Sequence, residues 1–137
     1  MSPVLVDSNV LLDVITGDPR WGAWSAETLA RIADEESLVI NAVIYAELSI
    51  GFESIEATEA ALPNDLYRRE HLPYEAAFLA GRTFLRYRQA GGLRRSPLPD
   101  FYIGAHAAVA GYRLLTRDAA RYRTYVPRLE LIAPQTG

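Results

Sequence analysis

The stretch "PVLVDSN" at residues 3–9 decides the fold class. Val4, Leu5 and Val6 run without a polar break and then stop at Asp7, Ser8 and Asn9. A short apolar run rich in β-branched residues and closed by turn formers reads as a central parallel strand buried on both faces. In open α/β sheets, ligands sit just beyond the carboxyl ends of such strands, which is where Asp7 is expected. Taken alone, Asp7 reads equally as a cap for the helix that follows.

Working outward, "SNVLLDVI" opens a helix that Ser8 can cap, "GDPRWG" is a turn, and residues 21–36 form a second helical segment. "SLVIN" is a second strand, after which Asn41 can cap "AVIYAELSIGF" and a polar helical piece covers residues 54–61. "LYRREHLP", residues 66–73, shows no assignable pattern. "PYEAAFLAGRTFLRYRQAGG" has proline at its start and two glycines at its end, the marks of one long helix. "LRRSPLP" then reads as an extended loop, "DFYIGAHAAVAG" as a compact helix, "YRLLT" as a strand, "RDAARYRTYV" as a helix and "LELIA" as a last strand. Strands alternating with helices predict parallel pairing through right-handed crossovers, hence a three-layer α/β/α domain with a central, mostly parallel sheet. With no repeat or linker in sight, residues 1–137 are expected to form a single domain.

Composition narrows the chemistry. There is no cysteine, which excludes disulfides, zinc–thiolate sites and cysteine nucleophiles. All 14 basic side chains are arginine, so a Walker A loop, a Schiff-base enzyme and a phospho-acceptor receiver domain, each of which needs a lysine, are excluded too. No segment has the length and apolarity of a membrane span or a secretory leader, and a cytoplasmic location is expected. Residues 1–80 hold 14 acidic side chains against 4 arginines, while residues 81–137 hold 3 against 10. That split reads either as a basic surface for an anionic partner or as helix faces neutralised by mutual salt bridges.

Three further carboxylates stand out beside Asp7. Glu47 sits amid the apolar stripe Val43, Ile44, Leu48 and Gly51, where an acid is costly unless it is paired, protonated or bound to a cation. Asp100 begins the stripe Ile103, Gly104, Ala107 and Ala108, and Asp118 closes "LLTRD" as Asp7 closes "VLVDSN". Asp100 and Asp118 also read singly as caps, and Glu47 as an acid reaching to a helix edge. Together, two acids at strand ends and two on inward helical faces can meet at the carboxyl edge of one sheet.

"VLVDSN", "YAEL", "LPDFYIGAHA" and "LLTRD", in this order, resemble the PIN-domain ribonucleases, and especially the VapC toxins of bacterial toxin–antitoxin pairs, from Pro3 to about Pro134. The resemblance implies that Asp7, Glu47, Asp100 and Asp118 form an acidic catalytic quartet supported by Asn9 and Thr116. It further implies an endoribonuclease toxin that cuts RNA with metal-activated water, restrained by a VapB-type antitoxin, with self-association as a homodimer.

Oxygen ligands without cysteine suit Mg²⁺ or Mn²⁺, with Asp7 and Asp100 as expected direct ligands and Glu47 and Asp118 acting on a second ion or through water. Arg86, Arg94, Arg95, Arg117 and Arg121 are the candidate RNA contacts, and Tyr87, Tyr112, Tyr122 and Tyr125 read either as base-stacking residues or as packing. His71 and His106 read as surface or packing histidines, and Asp13 and Asp65 as solvated residues. The competing reading is a non-catalytic PIN-like module that holds RNA or protein; a haloacid-dehalogenase-type phosphatase would want a second Asp where this chain has Asn9, and a lysine.

Overall fold

The structure is a computed structural model that describes residues 3–91 and 98–135. Its first strand, β1 (Val4–Val6), has all three residues fully buried, which is why the run carries no polar side chain. Burial of each such side chain stabilises by about 1.5–3 kcal/mol. The chain continues through α1 (Ser8–Thr16), α2 (Gly22–Glu35), β2 (Leu38–Ile40), α3 (Ala42–Ser49), α4 (Ile55–Ala61) and β3 (Tyr67–Arg69). It ends with α5 (Tyr74–Gln89), α6 (Leu98–Ala110), β4 (Arg113–Leu115), α7 (Ala119–Tyr125) and β5 (Leu131–Ile132).

Among the described residues the sheet has five strands in the order β3-β2-β1-β4-β5, every neighbouring pair parallel, and helices cover it in a three-layer α/β/α arrangement. The chain winds outward from β1 through β2 to β3, then returns to the other side of β1 for β4 and β5. The reversal puts the switch point of the sheet at the carboxyl ends of β1 and β4, where Val6 pairs with Leu115 and where open α/β sheets bind ligands. Asp7 and Thr116 are the next residues on the two strands.

Most expected elements are present, with three differences. "LYRREHLP" contains the edge strand β3, whose arginines are exposed while only Tyr67 is buried. An edge strand with a solvated charged face carries no apolar run, so the pattern that marks β1 is missing there. Ser8 does not cap α1: Asp7 occupies the cap position and makes no cap hydrogen bond through its side chain. The loop expected at "LRRSPLP" lies mostly outside the described residues, and its last two residues already belong to α6. Asn41 and Ser54 do cap α3 and α4, accepting from the Ile44 and Ala57 amides at 2.9 and 3.1 Å.

The main core joins both faces of β1, β2 and β4 to α1, α2, α3 and α6. A second cluster of Ala76, Ala80, Phe101 and Ala105 locks α5 onto α6, with Phe84, Tyr87 and Tyr125 packed around it. This packing anchors the start of α6, where Asp100 lies. No helix among the described residues is long and apolar enough to cross a membrane.

Candidate active site

Asp7 is the centre of the site. Its backbone N–H donates to Leu115 at 2.9 Å, continuing the sheet ladder one step beyond β1 and so fixing where the side chain leaves the chain. The carboxylate is 4% exposed. Oδ2 accepts from the Thr116 hydroxyl at 2.8 Å and from the Tyr122 hydroxyl at 3.0 Å. Among the described residues Oδ1 has only the Ser8 hydroxyl, at 3.5 Å, too long for a firm hydrogen bond.

The Asp7 pKa is raised from 3.8 to about 6: burial pushes it up most, the two hydrogen bonds to Oδ2 pull it down, and the charges of Asp100 and Glu47 add to the rise. The Glu47 pKa is also raised, chiefly by burial and then by Asp100, against the pull of the Ser8 hydrogen bond and of Arg121. Asp7, Glu47 and Asp100 therefore share one electrostatic space, although they come from the end of β1, from α3 and from α6.

Each acid is held by a short, specific link. The Ser8 hydroxyl donates to Glu47 Oε1 at 2.7 Å, so the residue expected to cap α1 instead ties α1 to α3. Arg121 Nη1 donates to Asp100 Oδ2 at 2.7 Å, and Arg121 Nη2 lies 3.0 Å from Asp118 Oδ2. Asp118, like Asp7, sits at a helix cap position without making a side-chain cap bond. Capping thus accounts for neither.

The polar positions flanking the acids form one chain of hydrogen bonds. Thr116 Oγ1 accepts from the Asp118 backbone N–H at 3.0 Å and from Asn9 Nδ2 at 3.4 Å while donating to Asp7. Asn9 Oδ1 in turn accepts from the Arg117 backbone N–H at 3.2 Å. The turn after β4 is thereby fastened to the start of α1. Tyr122 completes the arrangement, and Gly104 makes room for it: a Cβ at Gly104 would lie 3.2 Å from the Tyr122 ring and 3.2 Å from Val126 Cγ2.

Other candidates fall elsewhere. Asp13, expected to be solvated, is 2% exposed. It accepts from Arg117 Nε at 2.8 Å, Arg117 Nη2 at 3.0 Å and Ser25 Oγ at 2.9 Å. Buried charge is tolerated there because a planar guanidinium meets it with two parallel bonds. Arg117 is thus engaged with Asp13, and Arg121 with Asp100 and Asp118, whereas Arg86 is exposed on α5, where among the described residues its side chain reaches Thr83 of its own helix at 3.4 Å. Arg94 and Arg95 lie outside the described residues.

The four tyrosines are engaged within the molecule: Tyr122 with Asp7, Tyr112 with Glu70 at 2.7 Å, and Tyr87 and Tyr125 against Phe101 with centroids at 5.7 and 4.5 Å. His106 is fully buried beside Asn41, at 2.9 Å, and burial lowers its pKa, so it is a neutral packing residue. The amide of Asn41 donates to Nδ1, which leaves the ring proton on Nε2, 3.5 Å from Glu70. His71 is exposed. The sequence reading missed Tyr122 as the holder of Asp7; its position four residues after Asp118, one helical turn on, was the available signal.

The donor set fits a hard divalent cation by chemistry: carboxylate oxygens, no sulfur, and an Asp7 Oδ1 without a firm partner. The cluster also already holds a positive group, Arg121. Among the described residues, no three acidic or histidine side chains are gathered closely enough to enclose a metal as they stand. Two of the acids, Asp100 and Asp118, converge on a guanidinium instead of being preassembled with the others as a cage.

Comparison with known proteins agrees with this architecture. A search of curated proteins finds no match to the sequence. Among solved structures, the fold is similar to that in VapBC2 from Rickettsia felis bound to a DNA fragment from its promoter, with a TM-score of 0.75 at 18% identity, covering 97% of this chain and 99% of that one. VapBC-1 from nontypeable Haemophilus influenzae gives 0.73 at 17% identity, covering 96% and 97%. VapC20 of Mycobacterium tuberculosis, described as a sarcin-ricin loop cleaving toxin, gives 0.60 at 14% identity, covering 80% and 85%. The family model for the PIN domain matches residues 4–126, from the first residue of β1 to the end of α7 and so across all four acids, and the chain belongs to that family.

Proposed function

We propose that this chain is a metal-dependent endoribonuclease and the toxin of a toxin–antitoxin pair. The observation that carries the reading is the electrostatic coupling of Asp7, Glu47 and Asp100 at the switch point of the sheet, with Asp118 joined to them through Arg121. A scaffold gains nothing from crowding carboxylates at the one edge where an α/β sheet binds ligands. Support also comes from VapC20, described as a sarcin-ricin loop cleaving toxin.

Asp7 and Asp100 would hold Mg²⁺ or Mn²⁺ directly, with Glu47 and Asp118 in support. When bound, such an ion acidifies a water, neutralises charge on the scissile phosphate and stabilises the departing oxygen. The chain's own residues prepare the site. Thr116 and Tyr122 fix the orientation of Asp7 by holding Oδ2, and that leaves Oδ1 turned to a ligand. Ser8 fixes one oxygen of Glu47 in the same way.

The decisive experiment incubates the purified chain with RNA at pH 7.5. Cleavage should require Mg²⁺ or Mn²⁺, stop with chelator and fall by at least about a hundredfold in Asp7→Asn and Asp100→Asn, both of which remain folded. Undiminished cutting by Asp7→Asn would sink the enzyme reading.

The partner in this reading is a VapB-type antitoxin. Several similar structures are complexes with one, including those from Rickettsia felis and Haemophilus influenzae. On this chain an apolar groove of about 440 Å³, lined by Val43, Ala46, Ile50, Pro99 and Tyr102, runs beside Glu47 and would take the apolar side chains of an inserted segment. Ile50 is 86% exposed at its rim. Co-expression with the small reading frames on either side of the gene tests the pairing: one of them should restore growth and co-purify. Self-association as a homodimer is part of the same proposal, and sedimentation of the purified chain checks it.

A further inference from the structure

Arg121 occupies a position that a surface ion pair does not explain. Its guanidinium joins two elements, reaching Asp100 on α6 at 2.7 Å and Asp118 at the start of α7 at 3.0 Å, and its charge also favours the ionised form of Glu47. Three of the four acids thus already have one cation in common. The side chain is 41% exposed, so it can leave through solvent without unpacking α7. Its neighbour Tyr122, by contrast, is buried and bonded to Asp7 at 3.0 Å.

We propose that Arg121 is a resident counter-ion of the acid cluster that a divalent cation displaces, and that the displaced guanidinium then binds the substrate phosphate. This deepens the metal-dependent reading above and rests on it. The guanidinium and a divalent ion compete for the same carboxylates: Asp100 Oδ2 and Asp118 Oδ2 are held by Arg121, and a divalent ion placed among these acids repels a positive group a few ångströms away. Freed from Asp100, the planar fork of donors remains at the rim of the cluster. Phosphate oxygens match that fork as carboxylate oxygens do. The same side chain therefore keeps the metal-free carboxylates from repelling one another and supplies a phosphate ligand once the metal is in.

The test uses the full chain as parent, Arg121→Gln, Arg121→Lys and Asp7→Asn, with melting curves confirming that each is folded. Calorimetric titration with Mn²⁺ alone should show binding about five- to tenfold tighter in Arg121→Gln, the equivalent of two partly exposed ion pairs, with Arg121→Lys between it and the parent. Binding of a labelled single-stranded oligoribonucleotide in saturating Ca²⁺, with its intactness checked on a gel, should be roughly tenfold weaker in Arg121→Gln despite its better metal binding. A merely structural arginine would lower the melting temperature without tightening Mn²⁺ binding, and that result overturns the exchange. Unchanged oligoribonucleotide affinity overturns the phosphate role. If neither the parent nor Arg121→Gln binds Mn²⁺, the metal reading of the whole cluster fails, an outcome distinct from equal affinity in the two.

Discussion

Thr116 and Asp7 lie 109 positions apart and share a hydrogen bond of 2.8 Å. It crosses the switch point between β1 and β4, so the carboxylate at the centre of the site is aimed by the neighbouring strand. Thr116→Val keeps the shape and removes the donor. Stability should fall by about 1 kcal/mol and RNA cleavage by about tenfold or more, while Thr116→Ser restores most of both. Because this bond is the strongest influence lowering the Asp7 pKa, the acid limb of the cleavage pH profile should also move to higher pH in Thr116→Val. An unmoved profile would show that Asp7 is oriented without Thr116.

The raised pKa of Asp7 sets a pH dependence of stability. The group titrates near 3.8 when unfolded and at about 6 when folded, so its favourable contribution is complete below pH 3.8 and is lost as pH rises through 6. The span corresponds to roughly 3 kcal/mol. Asp7→Asn should therefore melt higher than the parent at pH 8 and show little gain at pH 4. Equal shifts at both pH values would place the effect elsewhere.

Added cation should relieve the same penalty. With millimolar Mn²⁺ at pH 7.5, the melting temperature should rise by several degrees, about 3–5 °C for each kcal/mol of linked binding at this chain length. The rise should shrink in Asp7→Asn and Asp100→Asn. A melting curve indifferent to Mn²⁺ would count against the cluster as a metal site.

Arg117 and Arg86 should separate structure from RNA binding. Arg117→Ala leaves the buried Asp13 carboxylate without its guanidinium and should cost about 2–3 kcal/mol in thermal unfolding, with Asp13→Ala milder because no buried charge remains. Arg86→Ala should leave stability within about 0.5 kcal/mol and flatten the salt dependence of RNA binding. A flattened salt slope in Arg117→Ala with unchanged stability would show that Arg117 serves RNA binding and not the hold on Asp13.

How much of this was legible in the sequence follows from where each residue's information resides. β1 could be read because burial on both faces leaves an unbroken apolar run, and the acids stood out because each interrupts a pattern that packing alone would have kept apolar. β3 could not, since its two arginines face solvent and only Tyr67 is buried. Asp13 was misread for a related reason: its partner Arg117 is 104 positions away, and a residue's local spacing says nothing of a charge delivered by another strand. Ser8 has the composition of a cap, but the cap position one residue earlier was already filled, which freed its hydroxyl for Glu47. The arginine asymmetry between the halves resolves in part into pairs across them, Arg117 with Asp13 and Arg113 with Glu36.

The contact between Gly104 and Tyr122 fixes a dimension of the molecule. Gly104 lies one turn along α6 from Asp100, and Tyr122 one turn along α7 from Asp118, so the closeness of these two residues sets how far apart the two acids stand. The separation is governed by the α6 backbone against the Tyr122 ring and the short, branched Val126 side chain. Alanine at 104 would wedge the helices by a few tenths of an ångström, and the first thing to slacken would be the Tyr122 bond to Asp7, well before the fold. Tolerance at this position is thus set by how far the Tyr122 ring and Val126 can give to an added methyl group.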